Sequence, residues 1–201
     1  MRQVTLAAVL TAMLASLPAG CASPQARGAA SLPAAPVTRA DMVARLLVAA
    51  EQAANAPDPQ PGRLAEALAA LDRLGARPAP GATDSLTDPL PGWRTSAPNA
   101  AVPTMRGRLL GPAYRRGHLE PGATTTLAQL FDGGRQARVA IAAAGGGPLG
   151  IAVLDGTGKP VCPVRQGTGS QCSWVPPFSG RHHIRLSNPG AMRVAYYLVI
   201  E

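Results

Sequence analysis

The side chains with the greatest capacity for chemistry are four arginines near the middle of the chain. Arg106, Arg108, Arg115 and Arg116 fall within eleven residues. Guanidinium groups pair in a bidentate manner with carboxylates and phosphates, and Arg106 and Arg108 would share one face of an extended strand. The cluster is a candidate binding site for an anionic glycan, a lipid phosphate or an acidic partner. A basic face that is simply solvated is the alternative interpretation.

The histidines do not have the spacing of a metal site. His182 and His183 are adjacent on a predicted strand, so their side chains point to opposite faces. His182 has the parity of the apolar positions and is predicted to face the core, whereas His118 is expected in a loop. Since no zinc-type spacing appears, the sequence predicts no metal and no cofactor.

The sequence contains neither the nucleophile motif of serine hydrolases nor a phosphate-binding loop. No Gly-x-Ser-x-Gly element occurs, and the glycines at 145–147 are not followed by the Lys-Ser/Thr of a phosphate-binding loop. Asp132 and Asp155 sit beside turn glycines, which explains them without catalysis. We therefore predict no catalytic residue and a protein that is not an enzyme. A hydrolase whose site has no sequence motif is the remaining alternative.

The N-terminus has the pattern of an export signal. Arg2 precedes a short apolar run at 4–17, which is shorter than the ~20 residues that a membrane-spanning helix needs. The run leads to Leu-Pro-Ala-Gly-Cys, ending at Cys21, which resembles a bacterial lipobox except that Pro18 occupies the position where Leu is preferred. The resemblance implies a signal peptide at 1–20 and acylation of Cys21. Because Ala22 follows the cysteine, the resemblance also implies an outer-membrane lipoprotein. The expected side of that membrane is the periplasmic one, although the resemblance does not fix it. An ordinary secretory signal, cleaved near Ala19 or Ala22, would instead give a secreted or periplasmic protein.

Two further cysteines follow in the C-terminal part. Cys162 and Cys172 lie ten residues apart, and disulfides persist in exported proteins. They are predicted to form a structural disulfide that links two neighbouring strands, because a redox site would more usually show Cys-x-x-Cys spacing.

Positive charge is concentrated in the same part of the chain. The net charge is +8, and eleven basic but only four acidic side chains lie from Met105 onward. Such a surface would attract nucleic acid, but an exported, anchored protein rarely meets it. The predicted partners are therefore the membrane, through the lipid anchor, and another envelope protein or an anionic glycan, with no nucleic acid.

Composition and periodicity divide the chain into five parts. After the signal at 1–20, a segment at 21–36 rich in Ala, Pro and Ser is predicted to be a flexible tether. Apolar stripes at helical spacing predict a helical hairpin at 37–77, with helices over 38–55 and 58–75. Its apolar face could pack on the C-terminal domain or on a partner chain. A Pro-rich part at 78–104, carrying Trp93, is expected to be a linker or an irregular strand-like wrap.

Alternating patterns separated by Gly/Pro turns predict strands through the remaining part, at 105–201. The strands are expected at 106–110, 124–131, 136–143, 149–154, 161–164, 171–175, 181–187 and 194–200. Seven or eight short strands of this kind favour an antiparallel sandwich.

Four of these segments carry a family resemblance. The residues at 134–139, 149–155, 180–188 and 196–200 are similar to the strand signatures of bacterial pre-peptidase C-terminal domains. That resemblance covers about 105–201 and departs from the family at His182, where an aromatic residue is common. It implies a mainly β, antiparallel jelly-roll-like β-sandwich, here preceded by the helical hairpin, and a module that lacks catalytic residues. The leading expectation is a lipid-anchored cell-envelope protein with a non-catalytic binding or assembly module. An anionic glycan- or lipopolysaccharide-binding module is the first alternative.

Overall fold

The structure is a computed structural model that describes residues 37–80, 87–97 and 111–201. Several predicted features lie outside the described residues. They are the signal, the tether, Cys21, Arg106, Arg108 and the strand predicted at 106–110. Within the described ranges, no helix has both the length and the apolar character needed to cross a membrane.

Two helices form the predicted hairpin. Helix α1 spans Arg39–Ala54, and helix α2 spans Pro61–Arg73. The hydroxyl of Thr38 accepts a hydrogen bond from the backbone N–H of Asp41 and so caps α1. Gly75 follows α2 with a φ of 65°, a left-handed conformation that glycine adopts without steric cost.

The segment around Trp93 corrects one expectation. Instead of a linker or a strand-like wrap, it contains helix α3, Leu90–Ser96. The Asp88 carboxylate accepts a hydrogen bond from the N–H of Leu90, and a proline lies in the first turn, where its missing N–H costs nothing. Leu90 and Trp93, three residues apart, are both buried on one face. A helix of seven residues is too short to show a clear apolar period, which is why the pattern failed to indicate it.

The described residues contain nine strands in two sheets. In chain order they are β1 (Arg77–Pro78), β2 (Ala113–Leu119), β3 (Thr124–Phe131), β4 (Ala137–Ala144), β5 (Leu149–Leu154), β6 (Pro160–Gly167), β7 (Gly169–Trp174), β8 (Gly180–Ser187) and β9 (Val194–Ile200). One sheet, sheet A, has the order β1-β2-β9-β4-β7, and the other, sheet B, has the order β3-β8-β5-β6. All pairs are antiparallel except the two-residue pairing of β1 with β2. Two facing sheets of this order form the predicted jelly-roll β-sandwich.

The molecule has three layers, because sheet A is apolar on both faces. Its inner residues, such as Val139 and Ile141, pack against sheet B. Its outer residues, including Ala140, Ala142 and Tyr197, pack against the helices. The hairpin thus buries its stripe on the sandwich and not on another chain. Val43 and Leu47 form the buried face of α1, whereas the neighbouring Met42 is 41% exposed.

The disulfide ties the two sheets together at one edge. Cys162 of β6 and Cys172 of β7 are bonded, with 5.9 Å between their Cα atoms, which confirms the predicted pair. Because β6 is the last strand of sheet B and β7 the last strand of sheet A, the bond closes that side of the sandwich. The opposite side, where β2 and β3 face each other, has no such bond.

Candidate functional site

Strand β2 was not predicted from the sequence, and its alternation decides where its side chains point. His118, expected in a loop, lies in β2. Tyr114 belongs to the core beneath the helices, and Leu119 to the core between the sheets. Since side chains alternate along a strand, Tyr114 and Arg116 point towards the helices, whereas Arg115 and Gly117 point into the space between the sheets. The structure therefore separates Arg115 from Arg116.

Arg116 is held in an internal ion pair. Its guanidinium donates to both carboxylate oxygens of Glu51 on α1, at 2.5 and 3.3 Å. Its centre also lies 6.0 Å from the ring centroid of Tyr197, within cation–π range. The hydrogen bond to Glu51 raises the pKa of Arg116 above its ordinary value. These contacts give Arg116 a role in joining the hairpin to the sandwich.

Arg115 has no partner of this kind. Its Nε is buried and donates no hydrogen bond to any group in the described part of the chain. No described carboxylate forms an ion pair with Arg115. Buried guanidinium N–H groups are almost always hydrogen-bonded, because leaving one unpaired costs free energy. Of the four arginines predicted as a site, Arg116 is paired internally and Arg115 is not. Arg106 and Arg108 lie outside the described residues.

A cavity of about 320 Å³ opens in front of Arg115, between the edges of β2 and β3. Gly117 and Tyr196 form one wall, and Thr125 and Leu127 of β3 form the other. A Cβ atom at Gly117 would come within 2.6 Å of the Tyr196 ring and hydroxyl, so the absence of a side chain there is what allows Tyr196 to lie across β2. Among the residues that the structure describes, no acidic side chain lines this cavity.

A second cavity continues along the same pair of edges. It has a volume of about 540 Å³ and includes Ala113 of β2 with Gln129 and Phe131 of β3, the next inward-facing positions on the two strands. Arg77 also lines it, opposite Ala113 in the β1–β2 pairing. We call the two cavities together the β2–β3 groove.

The first cavity of the groove contains the Tyr196 hydroxyl and the Arg115 guanidinium, which are both hydrogen-bond donors, whereas the carboxylates of Asp132 and Glu201 line the second. Burial raises the pKa of the Tyr196 hydroxyl, an effect that the positive charge of Arg115 partly offsets. Tyr196 is therefore protonated at neutral pH, so its hydroxyl, like the guanidinium of Arg115, is able to donate a hydrogen bond to a ligand. In the second cavity, by contrast, Glu201 already pairs with Arg39 and Arg138, at 3.6 Å in each pair. The end of the groove around Arg115 is the part suited to a carboxylate or phosphate.

The histidines form no metal site in the described residues, where no group of three or more metal-ligating side chains converges. His182 is 5% exposed, as its parity predicts, and contacts the rings of Phe131 and Trp174. His118 Nε2 lies 3.9 Å from the Glu120 carboxylate, which also pairs with Arg193 at 3.1 Å. His118 lines the first cavity, to which the described ranges contribute no serine.

Comparison with known proteins gives limited similarity. No protein-family model matches the chain, and a search of curated proteins finds no match. A de novo designed double-stranded β-helix is 20% identical, with a TM-score of 0.31, over 44% of this chain and 97% of that chain. Aeromonas hydrophila PliG, a periplasmic lysozyme inhibitor of g-type lysozyme, is 15% identical, with a TM-score of 0.36, over 45% of this chain and 84% of that chain. PirA is 18% identical, with a TM-score of 0.31, over 44% of this chain and 93% of that chain.

Proposed function

We propose that this protein is a non-catalytic docking module of the bacterial cell envelope, anchored through Cys21, and that it holds an acidic segment of another envelope component in the β2–β3 groove. The observation that carries the proposal is Arg115, whose buried Nε has no hydrogen-bond partner and whose side chain lines a cavity to which the described residues contribute no carboxylate. An incoming carboxylate would supply the acceptors that Arg115 lacks.

The disulfide supports the proposed location. Structural disulfides form and persist outside the reducing cytosol, and Cys162 and Cys172 are bonded and nearly fully buried. An exported protein meets envelope proteins, glycans and lipids, and all of these include anionic members. Export therefore fits a partner that carries carboxylate or phosphate groups.

The strength of the proposed contact follows from its chemistry. A hydrogen bond to a charged group contributes about 1.5–3 kcal/mol, so its loss weakens binding by roughly tenfold to a hundredfold. Part of this attraction acts at long range and is screened by salt. Binding through Arg115 should therefore weaken as the ionic strength rises.

The experiment measures binding of a fluorescein-labelled oligoglutamate peptide by fluorescence anisotropy at several salt concentrations. Arg115→Gln is expected to weaken binding by about tenfold or more. Arg181→Gln is the matched control, because it removes the same charge from an exposed position on β8. Equal affinity for Arg115→Gln and the unaltered protein would overturn the proposal.

An anionic glycan or lipopolysaccharide is the second candidate ligand, favoured by a different surface. On β8, Arg181, His183 and Arg185 alternate with core residues and share the outer face of sheet B. Small residues flank them, since Ala128 lies opposite His183 and Ala152 opposite Arg185. A flat cationic face suits a polyanion. For a labelled polygalacturonate probe, this candidate predicts the reverse order of effects, with Arg181→Gln weakening binding and Arg115→Gln leaving it unchanged.

A further inference from the structure

Strand β3 has one free edge beside the groove. It pairs with β8 along its whole length, and within the described ranges no strand pairs with its other side. Proteins usually protect such an edge with charged residues, proline or a bulge. The eight residues of β3, Thr-Thr-Thr-Leu-Ala-Gln-Leu-Phe, include neither a charge nor a proline, and their pairing with β8 is continuous. The edge is therefore open to another strand.

The hydrogen-bonding groups at this edge can be assigned from the ladder. The N–H of Asn188 donates to the carbonyl of Ala123, one step before the pair Thr124–Ser187. Because bonded and non-bonded pairs alternate in an antiparallel ladder, Thr125 and its alternate neighbours bond to β8. The N–H and C=O groups that point away from β8 belong to Thr124, Thr126, Ala128 and Leu130.

A side-chain contact agrees with this assignment. The Gln129 side-chain amide donates to the carbonyl of Leu130 at 3.1 Å, so that carbonyl is not occupied by β8. The intervening residues Thr125 and Leu127 point their side chains into the groove, where they line the cavity in front of Arg115. The free edge and the unpaired guanidinium thus border the same space.

We propose that a partner protein adds an extended acidic segment as an extra strand along β3, with one of its inward-facing carboxylates pairing with Arg115. This deepens the proposed function and rests on it, since it names the segment that the groove holds. Backbone hydrogen bonds to β3 would supply affinity, and the side chain that meets Arg115 would supply specificity, as in other cases of strand addition.

Charge decides between a partner protein and a second copy of this chain. Two copies joined edge to edge through β3 would bring no carboxylate to Arg115, because β3 contains no acidic residue. An acidic strand satisfies the backbone edge and the guanidinium together. The occupant that the observations favour is therefore a carboxylate-bearing strand.

The test uses a labelled eight-residue peptide in which glutamate alternates with valine, and two versions N-methylated on one or the other set of alternate residues. Successive N–H groups of a strand point to opposite edges. Methylation of one set is therefore expected to weaken binding by at least about tenfold, while methylation of the other set is tolerated. If both methylated peptides bind like the parent, strand addition is overturned. In that event, a loss of binding on Arg115→Gln would still uphold the proposed function.

A variant of the protein, in place of a modified peptide, tests the same edge of β3. Thr126→Pro removes an N–H that points away from β8, and proline is tolerated at such edge positions. It should weaken peptide binding by at least about tenfold, whereas the matched Thr126→Val should not; circular dichroism and the melting temperature check that both variants fold. Unchanged affinity in a folded Thr126→Pro protein would contradict strand addition. Analytical ultracentrifugation measures whether the protein dimerises and whether Thr126→Pro abolishes the dimer. A dimer lost in this way, together with no binding of the peptide, would overturn the proposal of an acidic partner and identify a second copy of this chain as the occupant of the edge.

Discussion

The hydroxyl of Tyr197 on the last strand donates a 2.5 Å hydrogen bond to the carboxylate of Glu51 on the first helix, 146 residues away. The same carboxylate accepts two hydrogen bonds from Arg116. Glu51 therefore links α1, β2 and β9 at one point beneath the helical layer. Both side chains of the ion pair are largely buried, with exposed fractions of 13% for Glu51 and 23% for Arg116.

Replacing Glu51 should destabilise the whole domain. Glu51→Ala leaves a shielded cation and a buried hydroxyl unpaired, which is expected to lower the free energy of unfolding by about 3 kcal/mol. Chemical denaturation measures the change. Glu66→Ala, at an exposed position on α2, is the control and should have little effect. A change as small for Glu51→Ala as for the control would show that this link contributes nothing to stability.

The three tyrosines predict an unusual response to alkaline pH. Burial raises the pKa of Tyr114, Tyr196 and Tyr197 above the ordinary value of 10.0. Hydrogen bonds to carboxylates add to the effect at Tyr114, through Asp88, and at Tyr197, through Glu51. Because the folded state favours the neutral form, this stabilisation is complete below the unfolded pKa and is lost as pH rises towards the folded one.

Ultraviolet absorbance of tyrosinate measures this directly. In the folded protein little signal is expected just above pH 10.0, the ordinary tyrosine pKa. The signal should then appear together with loss of the circular dichroism of the fold. The guanidinium-unfolded protein, as a control, should titrate near the ordinary value. A gradual titration centred there while the protein is still folded would contradict the buried tyrosine environment.

Local patterns were sufficient to predict most of the fold. In β8, the alternation at Ile184 and Leu186 identified the strand and its core-facing side, because the period of two is a direct property of the pleated backbone. In the strand at 137–144 the pattern indicated a strand but no single core-facing side, since both of its faces are buried. The strand predicted at 124–131 is confirmed with the same bounds. The cap at Thr38 and the glycine after α2 were also predictable, since each satisfies backbone groups of its own helix.

The candidate site was less predictable, because it depends on contacts distant in sequence. The distinction between Arg115 and Arg116 required knowing the start of β2 and the position of Glu51, 65 residues before Arg116. Gly117, Tyr196 and Arg77 were not identified from the sequence at all. The parity of Leu119 could have placed Arg115 and Gly117 on the inner face, had the strand been recognised. The strand order of the two sheets determines which strand edges remain unpaired, and no local sequence pattern encodes that order.

Removing the disulfide should loosen the closed side of the sandwich. The double variant Cys162→Ala, Cys172→Ala is expected to lose about 2–3 kcal/mol of unfolding free energy, the chain-entropy value for a loop of this size. Denaturation with and without a reductant measures the loss. The reductant should destabilise the unaltered protein by a similar amount and leave the double variant unaffected. Equal stability of the two proteins under oxidising conditions would contradict a stabilising role for the bond.

The proposed anchor is tested by Cys21→Ser. The thiol at Cys21 is the proposed acylation site, and each buried CH₂ of a fatty chain contributes about 0.8 kcal/mol to membrane binding. Without the acyl chains the protein should move from the membrane fraction to the soluble fraction, and metabolic labelling with palmitate should be lost. The double variant Cys162→Ala, Cys172→Ala serves as the control, since it removes the other two cysteines and should stay labelled and membrane-bound. A Cys21→Ser protein that still fractionates with the membrane would contradict the anchor, and an unlabelled natural protein beginning near Ala19 or Ala22 would indicate an ordinary secretory signal instead.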